Sequence, residues 1–167
     1  DFDNVSIVGV INADNMLSFP DFRSHERSFD LMVQVSGRAG RKDKQGKVIL
    51  QTYSADHEII DAVKNSDFLK MYNSQLAERK LFDYPPYFKL IQITVSHRNN
   101  DVTNQASRDL AIALRKSFGS NVLGPEYPLV SRVKNKYLKN ILLKIDNSSS
   151  NSKVKSHLLN LVSFFGL

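Results

Sequence analysis

The residues best equipped for chemistry lie in QVSGRAGR, Gln34 to Arg41, where two arginines stand three positions apart and each follows a glycine. A guanidinium stays protonated at neutral pH and presents a planar fork of donors that matches phosphate or carboxylate oxygens. Within a helical turn, a spacing of three puts Arg38 and Arg41 on one side. Gly37, Ala39 and Gly40 keep the backbone bare, so a ligand can approach closely. Such a pair suits the stabilisation of charge developing on a γ-phosphoryl group. The same residues read equally well as a solvated basic helix end, favoured by the helix dipole.

The elements that must position these arginines follow an α/β grammar. Val5 to Ile11 (VSIVGVI) is a short β-branched run suited to a strand buried on both faces of a parallel sheet. Asn12, Ala13 and Asp14 then fall at its carboxyl end, where open α/β sheets place ligands, although Asp14 also reads as a simple turn cap. Ser24 is placed to cap a helix over about 25–35, with Phe29, Met32, Val33 and Ser36 on one face. A second strand follows at Lys47–Thr52, Asp56 caps a helix through Lys64, and Ser66 opens another through about Phe82. Two strands do not complete a doubly wound sheet, so this half reads as part of a larger domain.

Composition bounds the possibilities. A chain of 167 residues, 41% of them hydrophobic, can bury one medium core or two small ones. There is no cysteine, which excludes disulfides and thiolate metal sites. His25, His57, His97 and His157 lack metal-ligand spacing and read as surface or capping residues. No apolar run approaches the roughly 18 residues of a membrane span, and the opening DFDNVSIVGV is unlike a signal peptide. A soluble, cytoplasmic protein is expected. Charge is divided unevenly: residues 1–83 carry 11 basic and 13 acidic side chains, 11 − 13 = −2, and residues 84–167 carry 12 and 4, 12 − 4 = +8. Two domains joined near Asp83-Tyr84-Pro85-Pro86 are implied, the second with a polyanionic partner.

In the basic half, Tyr87–Ser96 reads as a strand and Asp101 as the cap of a helix to about Phe118, with Ala106, Leu110, Ala111, Leu114 and Phe118 on one face. Beyond Gly124-Pro125 lies SRVKNKYLKNILLKI. If extended, it places Arg132, Lys134 and Lys136 on one face, and Tyr137, Lys139, Ile141, Leu143 and Ile145 on one face too. Arg132, Lys134, Lys136, Tyr137 and Lys139 form a candidate DNA contact, cations for phosphates and Tyr137 for an unstacked base. A solvated hairpin with Tyr137 packed inward fits the same pattern. A final helix over about 153–165 buries Val154, Leu158, Leu161 and Phe165.

QVSGRAGR resembles motif VI of superfamily 2 helicases, whose Gln-x-x-Gly-Arg-x-Gly-Arg pattern lies in the second RecA-like lobe. The longer stretch from Asp1 to Arg41 resembles the PriA family of bacterial replication-restart helicases in its Asp-Phe-x-Asn-Val opening, Asn12-Ala13-Asp14, Pro20-Asp21-Phe22-Arg23 and Glu26-Arg27. Gly46-Lys47-Val48, Gln51-Thr52, Glu78-Arg79 and Pro85-Pro86 fit as well, so the resemblance covers nearly the whole chain and is most specific over residues 1–53. It implies an α/β fold with a partial RecA-like helicase lobe (the second lobe) over 1–64, a connecting helix over 65–83, and a small α+β C-terminal DNA-binding domain over 84–167, similar to a small-subunit ribosomal protein.

The function implied by the resemblance is that of an ATP-dependent 3′-to-5′ DNA helicase that restarts stalled forks and initiates primosome assembly. Asp1 would be the acidic residue of motif V near the nucleotide sugar. Gln34, Gly37, Arg38 and Arg41 would face the ATP phosphates, with Arg41 as the finger and Arg38 as its neighbour. Partners implied are forked and single-stranded DNA, single-stranded-DNA-binding protein and primosome components, with the enzyme monomeric, cytoplasmic and nucleoid-associated. ATP with Mg, and zinc in a cysteine-rich insertion, belong to the intact protein. The phosphate loop, the Asp-Glu-x-His box and those cysteines are absent from this sequence and lie upstream in the family. The chain therefore reads as a C-terminal fragment, inactive as an ATPase and binding no cofactor alone. A final family strand is not recognisable after Phe165-Gly166-Leu167. A free-standing nucleic-acid-binding module competes with this reading, and a protein-interaction adaptor is a third.

Overall fold

Alternation decides which strand residues reach the first core. In the computed structural model, which describes residues 5–39 and 46–164, β1 (Ile7–Val10) and β2 (Lys47–Leu50) pair in parallel, with Val8 opposite Val48 and Val10 opposite Leu50. Val10 and Leu50 pack on a core of Phe29, Met32, Ile59, Ile60, Val63 and Met71. Ile7, Ile11 and Ile49 are exposed. The expectation of a strand buried on both faces is thus corrected, because the described helices cover one face of the pair and the period of two sends alternate side chains to the other.

Among the described residues this unit also holds four helices: α1 (Ala13–Leu17), α2 (Ser24–Ser36), α3 (Glu58–Lys64) and α4 (Phe68–Leu81). Their caps differ from those read in the sequence. Ser24 lies inside α2, and the Asp21 carboxylate turns the chain there by accepting from Arg23 N at 2.8 Å. His57 rather than Asp56 caps α3, its Nδ1 accepting from Ile59 N at 3.2 Å. At α4, Asp67 accepts from Lys70 N at 2.9 Å, while Ser66 sits at φ 51°, outside helical backbone. α4 contributes Met71 to the core and Arg79 to a 2.5 Å ion pair with Glu26 on α2. The chain divides into two units between Leu81 and Phe82.

The second unit is built around one long strand. β6 (Lys136–Asp146) pairs antiparallel with β3 (Phe88–His97) along ten residues, from Phe88 opposite Asp146 to His97 opposite Tyr137. Its other edge pairs with β4 (Val122–Glu126) and then with the short β5 (Arg132–Val133). Residues Ile141, Leu143 and Ile145 share the buried face with Val95, Leu110, Leu114 and Leu158. α5 (Asn100–Phe118) supplies Leu110, Ala111 and Leu114, and α6 (Asn151–Phe164) supplies Leu158. Phe165, expected on that face, lies outside the described residues. Asn99, not Asp101, caps α5, its Oδ1 accepting from Asp101 N at 2.8 Å and Val102 N at 3.4 Å. Such a cap stabilises a helix by about 1 kcal/mol.

On the opposite sheet face Lys144 is buried, and its Nζ donates to Phe82 O at 2.5 Å while lying 4.0 Å from the Tyr84 ring. Burial pushes its pKa down, partly offset by the charge of Asp83. This cation ties the entering chain onto β6.

β4 went unread in the sequence because Gly124-Pro125 looks like a breaker. The structure turns that feature to use. Gly124 has φ +88°, and a Cβ there would sit 2.7 Å from Asn140 O. Arg115 donates from Nη2 to Gly124 O, fastening α5 to the same point. Gly124→Ala is expected to destabilise the second unit by about 1–3 kcal/mol, seen as a lower urea midpoint for the loss of β6 amide signals. Gly119→Ala, where φ is +60° but nothing lies within 4 Å, should cost less. Equal midpoints for both variants would refute the close-approach argument.

Candidate nucleic-acid interface

The arginine motif begins where α2 ends. Gly37 N closes the last helical turn on Val33 O at 3.0 Å. Arg38 N and Ala39 N then bond to Val35 O at 3.0 Å and Ser36 O at 3.2 Å, a tighter i to i+3 winding. Gln34, Gly37 and Arg38 are exposed at this end. Arg41 and Asp1 lie outside the described residues, so the expected pairing of Arg38 with Arg41 is described as far as Arg38.

Asp14, read as a ligand candidate or a turn cap, ties elements together. Its Oδ1 accepts from Thr52 Oγ1 at 2.8 Å and its Oδ2 from Tyr53 N at 3.0 Å, while Ala13 N donates to Gln51 O at 2.9 Å. The Thr52 bond, and then the Tyr53 bond, hold this carboxyl below the usual carboxylate range. Nearby, the His25 ring meets the His57 ring edge-on at 5.0 Å. Burial lowers the His57 pKa, and the charge of His25 lowers it further. Among the described residues no group of His, Asp and Glu is arranged to hold a metal. His97 Nδ1 accepts from Asn99 N at 3.0 Å just before α5, and His157 Nε2 on α6 meets Ser117 Oγ on α5 at 2.8 Å.

In the second unit Arg132, Lys134, Lys136 and Lys139 lie on the β5–β6 hairpin and the start of β6. The hairpin's two turn residues, Lys134 (φ 46°) and Asn135 (φ 62°), both take the left-handed backbone that lets a two-residue loop follow the strand twist. The turn overturns the expectation that Arg132, Lys134 and Lys136 share one face of an extended segment: Lys134 is at the tip, and Arg132 and Lys136 lie on the two strands. Arg132 donates to Asn135 Oδ1, and its guanidinium lies 4.9 Å over the Tyr137 ring, directly across the ladder. Tyr137 is neither fully buried nor bare. Lys139, on the same face as Tyr137 by alternation, sets its Nζ 3.5 Å from the centre of the Tyr127 ring. Tyr127 OH meets Asn100 Oδ1 at 3.2 Å and Asn104 Oδ1 at 3.1 Å in the first turns of α5. Among the described residues, no lysine or arginine of 82–164 forms an ion pair. Positive charge is left for an external anion.

The sequence profile of a family described as the Primosomal protein N C-terminal domain matches residues 80–164. That stretch is half of the chain and nearly coincides with the second unit. The chain belongs to the PriA family. Relatives named Replication restart protein PriA are 38% identical over 161 residues in Bacillus subtilis (strain 168), covering 95% of this chain and 20% of the relative. The Synechocystis relative is 36% identical over 146 residues, 86% of this chain and 18% of its own. In Thermotoga maritima the figures are 34% over 143 residues, 86% and 19%. The chain thus spans about a fifth of the length of these PriA proteins.

Within the PriA framework, the five expected DNA contacts lie on one hairpin and the start of β6, although not on one face. Tyr127, Asn100 and Asn104, which join Lys139, were not singled out in the sequence. They come from separate elements, and only the folded sheet brings them to one rim. A RecA-like lobe is not discernible among the described residues of the first unit.

The His25–His57 pair makes a pH prediction. The folded pKa of His57 lies below the ordinary 6.5, so unfolded chain takes up a proton that folded chain refuses as the pH falls through that value. Stability of the first unit should therefore fall on acidification from about pH 7.5 to about 5.5. His57→Asn keeps an acceptor for Ile59 N and removes the titration, and should flatten the urea midpoint over that range. An unchanged pH dependence in the variant would exclude His57 as its source.

Proposed function

We propose that this chain is the motif VI and C-terminal part of an ATP-dependent 3′-to-5′ DNA helicase that restarts stalled replication forks and initiates primosome assembly. Residues 84–167 act in it as a DNA-binding domain. The observation that carries the reading is the set of cations on the β5–β6 hairpin, Arg132, Lys134, Lys136 and Lys139, with no internal carboxylate partner among the described residues, in a unit that matches the family profile. Phosphate neutralisation by such cations supplies affinity that is independent of base sequence and steeply salt-dependent.

In the intact enzyme, Asp1, Gln34, Gly37, Arg38 and Arg41 belong to the nucleotide side of the second RecA-like lobe. ATP with Mg supplies the free energy for movement when bound between lobes. The fit rests on the end of α2, where an exposed amide, bare glycine backbone and an exposed guanidinium lie together. Arg38 and Arg41 stabilise charge on the transferred phosphoryl group, Arg41 as the finger. Zinc is assigned to an upstream insertion, and this chain alone hydrolyses no ATP. Forked and single-stranded DNA, single-stranded-DNA-binding protein and other primosome components are the partners, and the intact protein works as a cytoplasmic monomer. No described helix is long and apolar enough to cross a membrane.

Two tests separate the halves. Fluorescence anisotropy of a labelled fork across a salt series should give a steep log–log slope for this chain. Lys134→Ala with Lys136→Ala should weaken binding and reduce the slope by roughly one per lost phosphate contact. A variant that binds as wild type removes the hairpin from the interface. In the full-length protein, Arg41→Ala should abolish DNA-stimulated ATPase activity and spare DNA binding, and retained ATPase activity would sink the finger assignment.

A further inference from the structure

We infer that the rim formed by Tyr127, Lys139, Tyr137 and Arg132 is a seat for unpaired nucleotides, so that the second unit binds single-stranded nucleic acid through base stacking as well as through phosphate charge. The inference rests on the DNA-binding reading above and deepens it by naming the strand state that this surface recognises.

Three features point that way. The first is the placement of aromatic rings beside cations. Lys139 stands 3.5 Å from the Tyr127 ring centre and Arg132 4.9 Å from that of Tyr137. Stacking platforms with adjacent positive charge are how proteins hold single strands, one group meeting a base and the other its phosphate. The second is preorganisation. The Tyr127 hydroxyl is held by Asn100 and Asn104, and Tyr137 is fixed between His97 on β3 and Arg132 on β5. Tyr127 is nonetheless 47% exposed, so ring surface stays open although Lys139 lies over one face. A ring ordered before binding loses less entropy when a base stacks on it.

The third is the segment between β4 and β5, where Leu129 is 74% and Val130 63% exposed. Apolar side chains held open next to unpaired cations suit a ligand that is anionic along its backbone and flat and apolar on its base faces. A duplex hides those faces within its stack and offers only phosphates and groove edges to such a rim. Unpaired nucleotides offer both chemistries at once. The register explains why the rim is open: Tyr137 and Lys139 continue the face of Ile141, Leu143 and Ile145, but they lie level with the very start of α5, beyond the helix cover.

The test uses the 167-residue chain with a labelled 15-nucleotide oligo(dT) and, separately, a labelled 15-base-pair duplex. Tyr127→Leu should weaken single-strand binding roughly tenfold or more while leaving duplex binding within about twofold. Tyr127→Phe, which keeps the ring and loses only the hydroxyl contacts, should retain most single-strand affinity and controls for misfolding. A 2-aminopurine base within the strand should be quenched by wild type and not by Tyr127→Leu. Equal weakening on both ligands, or none on either, overturns the stacking seat. If Lys134→Ala with Lys136→Ala lowers affinity for both ligands in that case, phosphate binding by the hairpin survives and the stacking seat alone fails. If wild type binds neither ligand, the stacking seat and the DNA-binding reading fall together.

Discussion

The second unit depends on one strand meeting two demands. β6 runs for eleven residues, and alternation sends Ile141, Leu143 and Ile145 into the core while the same face, continued towards the hairpin, carries Tyr137 and Lys139. Pairing with β3 along ten residues fixes this register. A slip of one position would turn Lys144, Leu142 and Asn140 to the helix-covered face in place of Ile141, Leu143 and Ile145, and turn the aromatic rim to the other face. Core packing therefore sets the position of the rim. Gly124 tightens the constraint by letting β4 approach Asn140 closely at the middle of β6.

Charge acts on this frame without defining it. The first unit uses its charged groups internally, in pairs such as Arg79 with Glu26 and Lys70 with Asp61. The second has a formal balance of 12 − 4 = +8 over residues 84–167, and no ion pair among its described residues. Lys144, the one buried cation among its described residues, finds a carbonyl and a ring. Exposed Arg132, Lys134 and Lys136 stand on the hairpin, and in the proposed reading a polyanion neutralises them and releases its own counterions. This division of labour agrees with a family match that covers residues 80–164.

Most strands and helices were legible from periodicity and composition, and so was the +8 half, whereas α1 and β4 were not. Core faces on α2 and α5 were legible for the same reason, since Phe29, Met32, Leu110 and Leu114 recur at helical spacing and are buried. Helix starts were misread each time two polar residues competed. Asp56, Ser66 and Asp101 are plausible caps by type, but His57, Asp67 and Asn99 accept the helix-start amides, and Ser24 lies within α2, which follows Arg23 with no side-chain cap. Lys134 was misassigned because alternation was carried through a two-residue turn at Lys134-Asn135. Tyr127 went unnoticed since its significance lies in Lys139, Asn100 and Asn104, residues linked to it by folding and not by spacing. Composition reveals a basic half, whereas register decides where its cations stand.

The central claim is that the hairpin rim of the second unit is the nucleic-acid surface of this chain. The direct measurement is a titration of the isotopically labelled chain with forked DNA, followed through backbone amide chemical shifts. The account predicts the largest perturbations at residues 127 and 132–139 and little change at Gln92, Thr94 and Ser96 on the opposite face of the sheet. Perturbations centred on that opposite face, or confined to residues before Phe82, would contradict it.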